Sequence, residues 1–395
     1  MAGVGRVLAA AIGQPGTTKV LIVDDSPVER ALLQKLLGRD PGIEVVGVAA
    51  GADEARERIK ALNPDVLTLD IQMPGMDGLQ FLRHLMRLRP MPVIMCSSST
   101  EKDADVTLEA LEIGAFDFVT KPPRIEAAAL TEFAGRLIGK IRVAAKRAAR
   151  ARADGSGSAS PQLRVQPDRV TAEPDSAPRS GRETADLSLV VPALRGGPVA
   201  RRGVPLIAIG SSTGGPEALH RVVVPLPADA PPVVIAQHIP AGFTKALAAR
   251  LDRHAELAVR EAVDGEVLQP GTVYVAPGGQ HLIVELVDGA LRARLSTAPQ
   301  VNYSRPSVDV LFRSVAQTVG PDAIGVLLTG MGADGAQGLL EMREAGGRTV
   351  VQDEATSLVW GMPGSAYRLG AAQEVKPLDE IVPTVTAWLP RSRRH

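Results

Sequence analysis

The chain has 395 residues, 45% of them hydrophobic and 22% charged, which suits two or three domains with sizeable cores. Lys plus Arg and Asp plus Glu each number 44, so the formal net charge is zero and nothing draws the chain as a whole toward nucleic acid or anionic membranes. Cys96 is the single cysteine, which excludes an intrachain disulfide and a cysteine metal cluster and fits a reducing cytoplasm. No apolar run approaches the roughly 20 residues of a spanning helix, so no direct membrane insertion is expected. Residues 1–18 hold one short apolar stretch, 7–12 behind Arg6, and read as a disordered N-terminal extension rather than a secretion signal.

From 19 to 140, short apolar runs alternate with amphipathic stretches. Strands are expected at 20–23, 43–49, 65–69, 92–96 and 116–119, with helices at 28–37, 52–62, 78–89 and 104–113. Such alternation implies a parallel sheet covered on both faces. Five units suit the flavodoxin-like order. A helix rich in Ala and basic residues is expected over 130–150, and 141–202 reads as a helical extension followed by a flexible linker rich in Gly, Ser, Pro, Ala, Asp and Arg. The apolar patch at 187–191 inside it suits a short strand or a docking segment. Residues 203–395 are globular again, with strands expected at 206–209, 233–236, 272–276, 282–286, 323–328 and 349–352 and helices at 217–224, 243–251, 307–318 and 335–344. This is a second α/β domain, doubly wound and mostly parallel.

Functional groups of open parallel sheets gather at the carboxyl ends of the strands. In the first domain these ends carry Asp24-Asp25, Asp70, Ser97 and Lys121. Carboxylates crowded together repel unless a cation lies among them, and oxygen donors suit Mg²⁺ better than zinc. A carboxylate so placed can attack a phosphoryl group and form an acyl phosphate. Asp24-Asp25, Asp70 with 73–78 (Met-Pro-Gly-Met-Asp-Gly), Ser97 and Lys121-Pro122 resemble a two-component response-regulator receiver over about 19–140. The resemblance implies that Asp70 is the phosphoacceptor and that Mg²⁺ is held by Asp24, Asp25, Asp70 and the carbonyl of Gln72. It also implies that Ser97 and Lys121 sense the phosphate and that Phe118 fills an aromatic switch position. Cys96, inside a strand, reads as a buried inert thiol.

In the second domain the strand at 206–209 runs into Gly210-Ser211-Ser212-Thr213-Gly214-Gly215, with Pro216 opening a helix. A serine at such a turn sits beside free backbone N–H groups, as in a nucleophile elbow. A phosphate-binding or purely structural glycine turn is the competing reading. A dinucleotide fingerprint lacks its middle glycine, which is Ser212, and a P-loop lacks its lysine. Among six histidines, His238 comes directly off an apolar strand, with His281 a weaker rival. The strand at 323–328 leads through 329–335 to Asp334, whose ordinary role would be to cap the helix that follows. Ser, His and Asp thus end three separate strands. If these strands are neighbours, Asp334 orients His238, His238 takes the proton of Ser212, and Ser212 attacks a carbonyl, with a backbone N–H near Met331 facing the oxyanion.

The segments 209–217, 237–244, 274–278, 305–309 and 329–335 look like the CheB family, the chemotaxis protein-glutamate methylesterases, over 205 to about 385. A receiver in front is that family's usual architecture. The resemblance implies Ser212 as nucleophile, His238 as base, Asp334 as its partner, Thr213 as a support of the histidine and the Met331 N–H in the oxyanion hole. Ala333 departs from the family, where many relatives carry Asn. The resemblance further implies a phosphorylation-activated hydrolase of glutamyl methyl esters on chemoreceptors, with deamidation of receptor glutamines. A chemotaxis histidine kinase serves as phosphodonor, the location is cytoplasmic, and no cofactor is needed for ester hydrolysis. In the family the unphosphorylated receiver covers the esterase site. Three readings compete: a DNA-binding response regulator, a receiver with a non-catalytic output module, and an esterase for another substrate.

Overall fold

The computed structural model describes residues 16–98, 101–122, 126–153, 187–191 and 205–389. Most of the expected N-terminal extension (1–15), most of the expected linker (154–186 and 192–202) and the first two residues of the expected second domain (203–204) lie outside the described residues. The chain divides into two compact units, Met1–Gln162 and Leu163–His395. No helix among the described residues is long and apolar enough to cross a membrane.

In the first unit five strands pair in parallel in the order β2-β1-β3-β4-β5. They are β1 (Thr18–Val23), β2 (Ile43–Ala49), β3 (Val66–Asp70), β4 (Val93–Ser97) and β5 (Asp117–Thr120). Helices α1 (Pro27–Leu37), α2 (Ala52–Leu62), α3 (Gly78–Leu88), α4 (Glu101–Ile113) and α5 (Ala127–Ala153) connect and follow them. The turn after β1 is set locally. Ser26 accepts from the Glu29 N–H as N-cap of α1, and Pro27 stands in the first turn, so the chain leaves the sheet immediately beyond Asp24. Gly78 opens α3 because a Cβ there would lie 2.0 Å from the Asp70 carbonyl oxygen. The buried stripe Phe133, Leu137, Ile141 and Ala144 has helical spacing, so α5 runs unbroken across position 140.

The apolar patch of the linker forms a helical turn, α6 (Leu187–Val190), rather than a strand. Val190 and Val191 pack with Ile283, Val301 and Val310 of the second unit, so the patch docks.

The second unit has a seven-stranded parallel sheet of order β14-β13-β12-β6-β7-β9-β8. Its strands are β6 (Leu206–Ser211), β7 (Val233–Gln237), β8 (Ala258–Glu261), β9 (Thr272–Val275), β12 (Ala323–Leu327), β13 (Arg348–Gln352) and β14 (Glu374–Lys376). The expected strand at 282–286 is not part of that sheet. β10 (His281–Val287) and β11 (Ala290–Ser296) pair antiparallel as a separate hairpin, turned by Asp288 and Gly289 at φ 52° and 79°. Asp-Gly is the preferred pair for such a turn. Helices α7 (Gly215–Val223), α8 (Phe243–Asp252), α9 (Val308–Thr318), α10 (Ala336–Glu344), α11 (Met362–Arg368) and α12 (Leu378–Trp388) complete the unit. The core cluster is mainly Val, Leu and Ala, with Tyr274 and Phe312 its large aromatics. From β6, the chain builds β7, β8 and β9 to one side and β12, β13 and β14 to the other. The strand order therefore reverses between β6 and β12, where open α/β sheets place their ligands.

Phe312 is fully buried at the centre of this core. Phe312→Ala is expected to lower the stability of the second unit by about 3–5 kcal/mol, measurable as a lower midpoint in urea unfolding.

Candidate active site and phosphoacceptor pocket

Strand register brings the candidate triad together. Ser211 pairs with Gln237 across β6 and β7, and Gly210 pairs with Leu327 across β6 and β12. One residue further on, the His238 N–H donates to the Ser211 carbonyl at 3.2 Å and the Ser212 N–H to the Thr329 carbonyl at 3.0 Å. Ser212 therefore stands between His238 and Thr329 on three adjacent strand tips. The turn beyond it is clamped by the Gln237 amide, whose Oε1 accepts from Ser211 Oγ at 2.5 Å and whose Nε2 donates to the Ser212 carbonyl at 2.9 Å. That amide leaves no room for a side chain at 215, where a Cβ would lie 1.9 Å from Gln237 Oε1.

Asp334 is buried and its Oδ2 lies 2.8 Å from His238 Nε2. It does cap a helix, but not the one it precedes. Gly335 occupies the N-cap of α10, while Asp334 reaches the start of α9, accepting from the Val308 N–H at 2.7 Å, the Asp309 N–H at 3.2 Å and Ser307 Oγ at 2.8 Å. Burial pushes its carboxyl up, and donation from His238, Asn302 and Val308 outweighs this, holding Asp334 below the usual carboxylate range. With Nε2 engaged, Nδ1 is the nitrogen left for a proton from Ser212, and Ser304 Oγ lies 3.5 Å from it. Ser212 Oγ makes no hydrogen bond to the ring in this structure. Catalytic contacts of this kind commonly tighten only with substrate bound.

Met331 follows Gly330 at the β12 tip, its side chain partly exposed. Thr213 is buried; its carbonyl accepts from Thr329 Oγ1 at 3.0 Å, and no hydrogen bond joins it to His238. The rival His281 is fully buried between the Ser307 N–H, which it accepts, and the Pro299 carbonyl. Burial lowers its pKa, so it is a neutral ring tying the 299 loop to α9.

In the first unit, Asp24 and Asp70 lie buried at the tips of β1 and β3, with Lys121 Nζ 2.9 Å from Asp24 and 2.7 Å from Asp70. Glu29 of α1 also pairs with Lys121, so oxygens of Asp24, Glu29 and Asp70 fall within 4.8 Å of one another. Asp25 is exposed beside them. Burial raises Asp24 to about 6 in spite of Lys121, and raises Asp70 as well. Burial works against the Lys121 charge too, but the three carboxylates outweigh it and hold the ammonium above its ordinary value. The Gln72 N–H donates to Asp70 Oδ2 at 3.1 Å, and its side chain to Asp103 at 2.9 Å. Ser97 is fully buried at the tip of β4 and its hydroxyl has no partner among the described residues, as is also true of Thr68 and Thr120. Phe118 is buried, with Lys140 Nζ 5.5 Å from its ring centroid. Burial pushes the Cys96 thiol up to about 12, which makes it inert at neutral pH.

A family model described as CheB methylesterase matches residues 207–385, and one described as response regulator receiver domain matches residues 20–131. Over 376 residues the chain is 52% identical to protein-glutamate methylesterase/protein-glutamine glutaminase 1 of Xanthomonas euvesicatoria pv. vesicatoria (strain 85-10), covering 95% of this chain and 98% of that one. The chain belongs to the CheB methylesterase family. A protein of Hydrogenovibrio crunogenus (strain DSM 25203 / XCL-2) named protein-glutamate methylesterase/protein-glutamine glutaminase is 44% identical over 381 residues, covering 94% of this chain and 98% of that one. The solved catalytic domain of Thermotoga maritima CheB is 40% identical at a TM-score of 0.47, covering 47% of this chain and 100% of that one.

Several residues of this CheB site were not singled out from the sequence. Gln237 looks like the polar end of a strand, Glu29 like an ordinary acidic residue in a helix's first turn, and Asn302, Ser304 and Ser307 like loop and cap residues. Nothing in their spacing tied them to Asp334 or Asp70. The hard oxygen donors of the receiver cluster fit Mg²⁺, the ion that receivers in general use for phosphorylation.

Gly330 completes the enclosure of Ser212. A Cβ there would lie 2.8 Å from Ser212 Cβ and 2.2 Å from Met362 Sδ. Gly330→Ala is expected to lower kcat by about 100-fold through displacement of Ser212, and steady-state ester hydrolysis on folded protein checks it.

Proposed function

We propose that this chain is a phosphorylation-activated hydrolase of glutamyl methyl esters on chemoreceptors, which also deamidates receptor glutamines. The observation that carries the reading is the His238–Asp334 pair at 2.8 Å, set on strand tips next to that of Ser212. The extended likeness to proteins named for both activities supports it.

In this mechanism His238 Nδ1 takes the Ser212 hydroxyl proton as Oγ attacks the ester carbonyl. The Met331 N–H receives the developing oxyanion. Collapse breaks the carbon–oxygen bond to the methoxy group, which leaves as methanol with the proton from His238. Water then gives a proton to His238, attacks the acyl carbon and releases glutamate and free Ser212. With a glutamine substrate the leaving group is ammonia, whose departure depends more strongly on the proton from His238. Asp334 keeps the ring in register and offsets the imidazolium charge, and Thr213 supports the histidine only indirectly, by tying the Ser212 turn to Thr329. The hydrolysis needs no cofactor.

On the receiver, Asp70 accepts the phosphoryl group from a chemotaxis histidine kinase. Asp24, Asp25 and Asp70, with the Gln72 carbonyl, would hold Mg²⁺, which when bound offsets carboxylate and phosphoryl charge. Lys121 and the buried Ser97 hydroxyl meet the new phosphate oxygens, and Phe118 reports the change. The unpartnered state of the Ser97 hydroxyl supports that role, since a buried donor without an acceptor is costly until an anion arrives. Chemoreceptor substrates place the enzyme in the cytoplasm.

Methanol release from methylated receptor, with and without a small phosphodonor, tests the whole scheme. Ser212→Ala is expected to lower kcat by at least about 10⁴-fold and to leave receiver phosphorylation intact; wild-type turnover by that variant refutes the nucleophile. Asp70→Ala is expected to keep basal hydrolysis and lose the response to phosphodonor, and full activation refutes the phosphoacceptor.

A further inference from the structure

Between the α6 docking surface and His238 the chain makes a tight two-residue turn. Val301 and Ser304 exchange backbone hydrogen bonds at 3.2 and 3.0 Å, and the residues between them, Asn302 and Tyr303, have φ of 51° and 60°. This is the signature of a type I′ turn, for which Asn is favoured at the first position and Gly at the second. Tyr303 stands where glycine is preferred, and the residue is 56% exposed, so burial of its side chain does not compensate the strain. The turn is held instead by the side chain of Asn302. Its Nδ2 donates to Asp334 Oδ1 at 2.9 Å and to Asp309 Oδ2 at 2.6 Å. The residue just past the turn is Ser304, whose Oγ faces His238 Nδ1 at 3.5 Å.

We propose that Asn302 is a positioning residue for the hydrolysis, clamping Asp334 with its amide while Asp309 holds that amide from behind. The inference rests on the triad reading above.

Three features support it. One –NH₂ group satisfies two carboxyl groups at once, which a hydrophobic or shorter side chain cannot do. Asp309 lies in the first turn of α9, buried, with its other oxygen accepting the Gly338 N–H of α10 at 2.7 Å. The charged group facing it is Asp334, from the loop before α10. The turn offers it the neutral Asn302 amide, and Arg313, one turn along α9, is engaged by Glu341 of α10. Burial and the nearby Asp334 charge push Asp309 up to about 8. At neutral pH the pair thus carries one negative charge, located on Asp334, which has the fuller set of donors. Above about pH 8 Asp309 ionises, two buried carboxylates face one amide, and repulsion loosens the clamp on Asp334. Activity should fall with it.

The test is kcat and KM for methanol release by the full-length chain, treated with phosphodonor, across pH 6 to about 9.5 (spanning the Asp309 transition), with thermal melts to verify folding. Asn302→Ala should lower kcat roughly tenfold or more with KM changed by less than about twofold. Asp309→Asn should lower kcat severalfold and abolish the alkaline decline near pH 8 that is expected of the natural chain. Wild-type kcat in folded Asn302→Ala overturns the proposal. If that variant does not fold, Asp309→Asn decides: an alkaline limb retained at its original pH overturns the proposal, and its loss supports it. Ser212→Ala run alongside separates the two readings. Activity in that variant refutes the triad itself, whereas an inactive Ser212→Ala beside a fully active Asn302→Ala refutes the positioning role alone.

Discussion

A carboxylate taken out of water is tolerated only where donors replace its hydration, and Asp334 meets five. His238, Asn302, Ser307 and two backbone N–H groups at the start of α9 converge on its two oxygens. This one carboxylate therefore ties together the tip of β7, the strained turn at 302–303, the N-terminus of α9 and the loop after β12. The start of α9 is well suited to it, because its free N–H groups and the helix dipole both favour a negative charge. Removing Asp334 would leave these donors unanswered as well as the imidazole without its partner, so the fold of this corner and the orientation of His238 share one cause.

The parallel sheet supplies the second constraint. Because every strand of the seven-stranded sheet runs the same way, the residues that follow β6, β7 and β12 emerge on one edge. The strand order reverses between β6 and β12, and Ser212 stands at that switch point. Close packing there depends on glycines at points of contact rather than on flexibility: Gly215 lies under the Gln237 amide and Gly330 against Ser212 and Met362.

The two units solve related electrostatic problems in different ways. In the receiver, carboxylates from the tips of β1 and β3 and from α1 gather round one ammonium, and the buried pair, Asp24 and Asp70, is raised because burial outweighs the single cation. In the esterase unit, Asp334 has enough donors to remain ionised, while its neighbour Asp309 is left with the proton. A shared proton and a shared cation are the two means by which crowded carboxylates persist indoors.

Much of this was legible before any coordinates. Alternating apolar runs and amphipathic stretches specified two parallel α/β units, because strand and helix periods are local properties of the chain. Strand ends then marked Asp24, Asp70, Ser97, Lys121, Ser212, His238 and Asp334 as groups to bring together. The hairpin of β10 and β11 was missed although Asp288-Gly289 signals it, since a lone apolar run does not reveal its partner strand. Which helix Asp334 caps was beyond the sequence: α9 begins 26 residues earlier in the chain, and an N-cap rule looks only at the helix that follows. Likewise Glu29 beside Lys121, and Asn302 between Asp309 and Asp334, are polar residues of ordinary appearance. Local chemistry determined the elements and the types of reactive group at their ends. The tertiary structure alone decided which distant donors meet which carboxylate, because hydrogen bonds act over about 3 Å in space and sequence separation does not measure that distance.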